Sequence, residues 1–229
     1  MPFLNQRVLV TGASSGIGLA IAQALSDSGA IIHGVARHWH NAPSAWRTHS
    51  ADLSVEGDIK RLVQEIQQES NPLNIVVHCA GAFAVGSVAE FAINELDKLY
   101  AINVRAPFLL TQLLLPQLVQ SQGQIVFINS SVGITSKHSL AGYSATKFAM
   151  KALADALRAE VNSQGIRVMS VYPGKTASPM QAQAHKLFGQ EYQTNKLMQA
   201  EDVAQAVLAA LLLPKSAEMT DLHLRPMQK

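Results

Sequence analysis

The stretch that most constrains the fold is Arg7-Val8-Leu9-Val10-Thr11-Gly12-Ala13-Ser14-Ser15-Gly16-Ile17-Gly18. A short apolar run of strand character ends in three glycines. Helical spacing follows at once, with apolar residues at Ile17, Ala20, Ile21, Ala24 and Leu25. Strand, glycine-rich turn and helix in this order form a cradle for a dinucleotide. Gly12 permits the tight bend, Gly16 lets the backbone approach a pyrophosphate, and Gly18 allows helix to pack closely on strand, with the phosphates at the helix N-terminus. The spacing Gly-x-x-x-Gly-x-Gly departs from the dinucleotide fingerprint Gly-x-Gly-x-x-Gly. The flanking strand and helix make the loop from Gly12 through Ser14, Ser15, Gly16 and Ile17 to Gly18 the expected cofactor site nonetheless.

The rest of the chain repeats the alternation. Strands are expected at Ile31–Ala36, at a short strand end Ser50–Leu53, and at Ile75–Cys79, Ile125–Asn129, Ile166–Tyr172 and Asp221–Arg225. Helices are expected after a Ser54 cap, where Ile59, Leu62, Val63 and Ile66 fall at helical spacing, and over Glu95–Leu115, from Leu140 onward and over Glu201–Leu213. Asn41–Ser50 is too short and proline-interrupted for a helix. The pattern predicts an α/β fold: a doubly wound, Rossmann-type parallel sheet of about seven strands with helices on both faces. With no repeat, linker or composition break, residues 1–229 read as one domain.

Composition excludes several functions. The chain has 229 residues, 48% hydrophobic, with 18 basic against 16 acidic side chains and a net charge of +2, which is no electrostatic case for nucleic acid. One cysteine, Cys79, excludes an internal disulfide framework. The N-terminus lacks the features of a signal peptide. The stretch Phe108–Val119 is too short and too interrupted to span a bilayer. A soluble cytoplasmic protein with no membrane partner is expected.

The second strand leads into Val35-Ala36-Arg37-His38, where an acidic residue would bind a ribose 2′-OH. Arg37 suits a 2′-phosphate instead, so NADP(H) is preferred and NAD(H) remains possible, and Ser14 can add a donor to the same phosphate. His38, Trp39 and His40 have no nearby cysteine or carboxylate, so no metal site is expected and these residues are read as bordering the adenine.

In Gly142-Tyr143-Ser144-Ala145-Thr146-Lys147, a tyrosine and a lysine share one helix face, where the ammonium can favour the phenolate and bring its pKa toward the working range. Ser130 and Ser131 leave the fifth strand about a dozen residues earlier and offer a hydroxyl to hold a substrate oxygen. Pro107 has no N–H for the carbonyl of Asn103, which is thereby freed to bind a water.

With Thr11–Gly18, Asp52-Leu53, Cys79-Ala80-Gly81, Asn103-Val104, Ser130-Ser131, Tyr143-x-x-x-Lys147 and Pro173-Gly174 in this order, nearly the whole chain resembles the short-chain dehydrogenase/reductase family. The resemblance implies an NADP(H)-dependent oxidoreductase that interconverts an alcohol and a carbonyl. Tyr143 is then the acid/base, a serine orients the carbonyl, Lys147 contacts the nicotinamide ribose and Asn103 holds a relay water. Asp52 and Leu53 meet the adenine, Ala80 and Gly81 line the cofactor site, and Pro173, Gly174, Thr176 and Ser178 surround the nicotinamide.

Ser131, just after the strand and before Val132-Gly133, is the favoured serine, although the gap from Ser130 to Tyr143 is the family's usual one. Cys79 stands where the family often has asparagine, with a possible loss of local rigidity. The family commonly forms dimers or tetramers, and the apolar and small residues Phe148–Leu157 fit a homo-oligomer interface as well as core. Residues 177–199 read as a substrate lid. The substrate itself is an unidentified small carbonyl or alcohol. Two other readings remain: a non-catalytic NADP-binding sensor or scaffold, and nucleotide-sugar epimerase or dehydratase chemistry. The second usually needs a larger C-terminal domain than the 55 residues after Gly174 provide.

Overall fold

The structure, a computed structural model, describes residues 1–41 and 43–227. One sheet draws seven strands from Arg7 to Leu224: β1 (Arg7–Thr11), β2 (Ile31–Ala36), β3 (Arg47–Ser50), β4 (Ile75–His78), β5 (Gln124–Ile128), β6 (Arg167–Pro173) and β7 (Asp221–Leu224). Their order is β3-β2-β1-β4-β5-β6-β7, and every pairing is parallel. Chain order reverses between β1 and β4, so the crevice at the carboxyl ends of the strands opens there.

Parallel strands covered on both faces carry apolar side chains on alternating sides. Leu9, Val76, Ile125 and Phe127 point into the core under α2 (Glu56–Gln67), α4 (Ala106–Ser121) and α5 (Ala141–Val161). Val8, Val10, Val77 and Val126 point the other way, against α1 (Gly16–Asp27) and α7 (Ala200–Leu211). Two further helices, α3 (Ile93–Tyr100) and α6 (Pro179–Leu187), flank the crevice. Among the described residues, no helix is long and apolar enough to cross a membrane.

Several expectations need correction. The helix expected over Glu95–Leu115 is α3 and α4 joined by a π-helical turn, Ala101–Arg105, where the Ala106 N–H donates to the Ala101 carbonyl. Pro107 lies just beyond that turn and cannot donate back, so a wide turn is accommodated there. Ser54 does not cap α2. The N-cap position is Val55, and the Ser54 hydroxyl donates to the Asp52 carboxylate at 2.7 Å. The third strand is Arg47–Ser50, earlier than the expected Ser50–Leu53. On α5 the buried stripe is Met150, Ala154, Leu157 and Val161, whereas Phe148, Ala152 and Ala156 of the expected stripe face outward. Trp39, expected beside the adenine, is held within the fold. Its ring packs on Gly34 in the α1/α7 core, and its Nε1 donates to the His49 carbonyl at 3.2 Å.

Candidate active site

The glycine turn closes tightly. Gly12 has φ +70°, and a Cβ there would lie 2.9 Å from the Ala80 backbone, while a Cβ on Gly18 would overlap the Gly12 carbonyl. Glycine is therefore required at both positions for α1 to meet β1 and for β1 to sit beside the turn after β4. The first turn of α1 carries no acidic residue, and its N-cap Ser15 makes no side-chain capping bond. Orphan N–H groups and the positive end of the helix dipole thus face the crevice with no internal anion, a set of donors that fits a pyrophosphate.

A cleft of about 450 Å³ runs from this turn along Ser14, Ser15, Arg37, Asp52, Leu53 and Gly81. Arg37 is exposed there and close enough to Asp52 to favour its ionised form, after the stronger hydrogen bonds from Ser54. A second recess, on the other side of Gly12, is lined by Gly16, Ile17, Gly18, Ala80, Lys147 and Thr176, with Pro173, Gly174 and Ser178 at its far wall. All the residues expected to bind cofactor outside the Asn103 turn therefore line one continuous crevice, because Gly12, Ser15, Ala80 and Gly81 border both parts. Asn103 stands behind it, fully buried. Its Oδ1 accepts from the Ala82 N–H at 2.8 Å, and its Nδ2 donates to the Ala82 carbonyl and the Thr146 hydroxyl, both at 3.0 Å.

Three residues not singled out by sequence hold this geometry. The Thr11 hydroxyl accepts the N–H groups of Cys79 and Ala80, each at 3.0 Å. The turn is thus pinned from β1, so Cys79 in the asparagine position does not leave it slack. Asn129 takes the Ser130 N–H at 2.9 Å and donates to the Lys147 carbonyl at 3.1 Å, linking the end of β5 to α5. Thr146 joins Asn103 to the Tyr143 carbonyl. The legible signal for each was a small polar residue at a strand end or one helical turn from a candidate group, which is too common to single out.

At the centre, Tyr143 is 7% exposed and packs edge-on against Phe83, with ring centroids 5.0 Å apart. Burial pushes its phenol up to about 12, partly opposed by the neighbouring Ser130 hydroxyl. Lys147 is 4% exposed, and burial pulls its ammonium down to about 8. Its Nζ donates to the Ile128 carbonyl at 3.0 Å and lies 5.8 Å from the centre of the Tyr143 ring. Desolvation is the largest influence on Tyr143 and outweighs the lowering expected from Lys147. The two candidate serines are placed differently. Ser131 is exposed and opens a 3₁₀ turn, Ser131–Gly133, while Ser130 lines the same recess as Tyr143 and Lys147.

On the far side of Tyr143 a cavity of about 390 Å³ opens between the β5–α5 connection and α6. Ser130, Tyr143 and Gly174 border both it and the crevice, so a molecule in the cavity abuts one in the crevice at the phenol. No group of three or more His, Cys, Asp and Glu side chains among the described residues is placed to hold a metal ion.

A cradle for phosphates, a buried Tyr-Lys pair and a facing serine meet at one edge of a parallel sheet, in the order the sequence motifs predict. The short chain dehydrogenase model matches residues 6–187. The chain belongs to the short-chain dehydrogenase family. An uncharacterised oxidoreductase of Staphylococcus epidermidis is 31% identical over 228 residues, covering 95% of this chain and 96% of that one. The ligand-free aldohexose dehydrogenase of Thermoplasma acidophilum superposes with a TM-score of 0.88 at 21% identity, over 96% of this chain and 92% of that one, a likeness of fold. A short chain dehydrogenase of Shigella flexneri complexed with NADP superposes with a TM-score of 0.87 at 28% identity, covering 97% and 98% of the two chains. The seven-stranded Rossmann-type sheet of this oxidoreductase is the fold they share.

Proposed function

We propose that this short-chain dehydrogenase interconverts an alcohol and a carbonyl with NADP(H), and that Tyr143 is its acid/base. The observation that carries the reading is the convergence of Ser130, Tyr143 and Lys147 where the crevice meets the cavity. A nicotinamide bound in the crevice supplies or accepts the hydride. The chain's own part is to place the substrate oxygen between the Ser130 hydroxyl and the Tyr143 Oη and to move one proton there. The phenol gives its proton to the carbonyl oxygen in reduction and takes it back in oxidation. Lys147, held by the Ile128 carbonyl, keeps a donor beside the site, and Phe83 shields the phenol from water.

Arg37 and Ser14 border the adenosine end of the crevice, and no carboxylate side chain follows β2 directly; this supports NADP(H) over NAD(H). The NADP-bound Shigella relative is consistent with that choice. The exposed aromatic rings of Phe108 on α4 and Phe148 on α5 support a homo-oligomer, and the single cysteine a cytoplasmic setting.

The test is a panel of aldehydes and ketones assayed in parallel with NADPH and NADH, on the wild-type chain and on Tyr143→Phe. The proposal expects turnover with NADPH, at least tenfold slower turnover with NADH, and a loss of about 10³-fold in kcat for Tyr143→Phe. Wild-type turnover by Tyr143→Phe refutes the role of the phenol. A preference for NADH refutes the role of Arg37.

A further inference from the structure

The cavity beyond Tyr143 has an asymmetric lining. Its buried lining is apolar, with Val132, Leu140 and the Tyr143 ring, and the exposed Lys137 and Lys175 also line it. Lys137 lies in the loop before α5, and Lys175 follows β6. Both are exposed, and neither pairs with a carboxylate among the described residues. Among the described residues, no aspartate or glutamate lines the cavity. The adjoining Glu191 accepts instead from the Gln193 side chain at 2.5 Å. Two unpaired ammonium groups at the rim of a low-dielectric recess focus a positive potential on whatever enters.

From this we infer that the substrate has an apolar body bearing the reacting carbonyl and an anionic group, a carboxylate or its equivalent, that lodges between Lys137 and Lys175. The inference rests on the cavity being the substrate site, as proposed above. The apolar end is buried toward Val132 and Leu140, the carbonyl reaches Tyr143, and the charge stays beside the exposed lysines, where an ion pair does not bear the full cost of desolvation. Each rim lysine contributes about two- to fivefold in affinity, as exposed pairs do, and the two together about tenfold.

Calorimetric titration with a keto acid, 3-benzoylpropanoate, and with its neutral methyl ester tests this. The wild-type chain and the double variant Lys137→Gln/Lys175→Gln are compared, each with and without NADP⁺. The keto acid is expected to bind about tenfold more tightly than the ester to the wild-type chain at low salt. That preference should fall within about twofold in the double variant, which melts at the wild-type temperature. It should also fall in the wild-type chain at 0.5 M salt, where the screening length is about 4 Å. Equal affinities, no binding of either compound, or a preference that persists in the double variant overturns the inference. Oxidation of NADPH by the bound keto acid is read separately. Tight, lysine-dependent binding combined with no Tyr143-dependent turnover of this keto acid or of the aldehyde and ketone panel removes the proposed role of Tyr143 and leaves the anion site standing.

Discussion

Ser130 and Tyr143 together border both the crevice and the cavity, and the Ser130 hydroxyl favours the ionised phenol against a burial that pushes the group to about 12. Ser130 is fixed in this place. Its N–H donates to the Asn129 side chain, and its hydroxyl also accepts the Val132 N–H at 3.3 Å. Ser130→Ala removes a hydroxyl beside the phenol and the proposed partner for the substrate oxygen, so kcat should fall about 10²-fold. Ser131→Ala, at an exposed position, should stay within about threefold of wild type. Single-turnover rates of the two variants decide the point. A larger loss in Ser131→Ala would move the contact to the neighbouring residue.

Lys147 stands in a site that disfavours its charge. Its folded value is pulled to about 8, below the ordinary 10.5. Between those values the unfolded chain binds more protons than the folded one, so stability rises with pH from about 8 to 10.5. Below pH 8 the buried ammonium costs stability, on the order of 1–3 kcal/mol. Lys147→Met should therefore unfold at no lower urea concentration than wild type at pH 7, despite losing the bond to Ile128, while turnover drops at least about 10²-fold. The stability difference should shift toward wild type by pH 10.5. A difference that stays constant from pH 7 to 10.5 would show that the ammonium carries no such penalty.

The fold was legible because it is written in periodicity. Each strand expected from an apolar run is present, since a parallel strand buried on both faces has to be apolar throughout, as Ile75-Val76-Val77 is. Boundaries were less legible. β3, Arg47-Thr48-His49-Ser50, is polar because it is an edge strand, and its pairing with β2 rather than its composition makes it a strand. The residue types of the site were legible and their orientation was not. Ser130 and Ser131 differ only in which way the chain turns after β5, and Asn129 settles that turn through a bond to α5. The electrostatics were least legible. Four residues of spacing place Lys147 near Tyr143, yet the Ile128 carbonyl, distant in sequence, takes its Nζ.

His78 gives a pH dependence that chain spacing does not announce. It lies at the end of β4, stacked on Phe127 at 4.9 Å between ring centroids, with Nε2 2.9 Å from the Thr111 hydroxyl. Burial alone pulls it down to about 3, and His33 beside Arg7 falls to the same value. Both are neutral in the folded protein at pH 5, whereas the unfolded chain protonates them at the ordinary 6.5. Stability is therefore lost as pH falls from about 6.5 toward 3, by up to about 1.4 kcal/mol per pH unit for each histidine. His78→Asn keeps a polar partner for Thr111 and removes one titrating group. Urea midpoints between pH 6.5 and 5, above the range of most carboxylates, should decline about half as steeply in the variant. An unchanged slope would exclude His78 from the acid response.

Two glycine substitutions of the same chemistry should have opposite signs. A Cβ on Gly18 would overlap the Gly12 carbonyl, which is backbone and cannot swing aside, so Gly18→Ala has to push α1 away from β1. The overpacking should cost about 1–3 kcal/mol and should weaken NADPH binding as well, because the displaced helix end is the one that faces the phosphates. Gly57 lies in the first turn of α2, and nothing stands within 4 Å of the place an alanine methyl would take. Gly57→Ala narrows the unfolded ensemble without a clash and should add about 0.5 kcal/mol. Thermal unfolding with and without NADPH separates the two effects. Gly57→Ala should raise the melting temperature equally in both conditions, and Gly18→Ala should lower it more when NADPH is present. Equal losses with and without NADPH in Gly18→Ala would detach this glycine from cofactor binding and leave it a packing role alone.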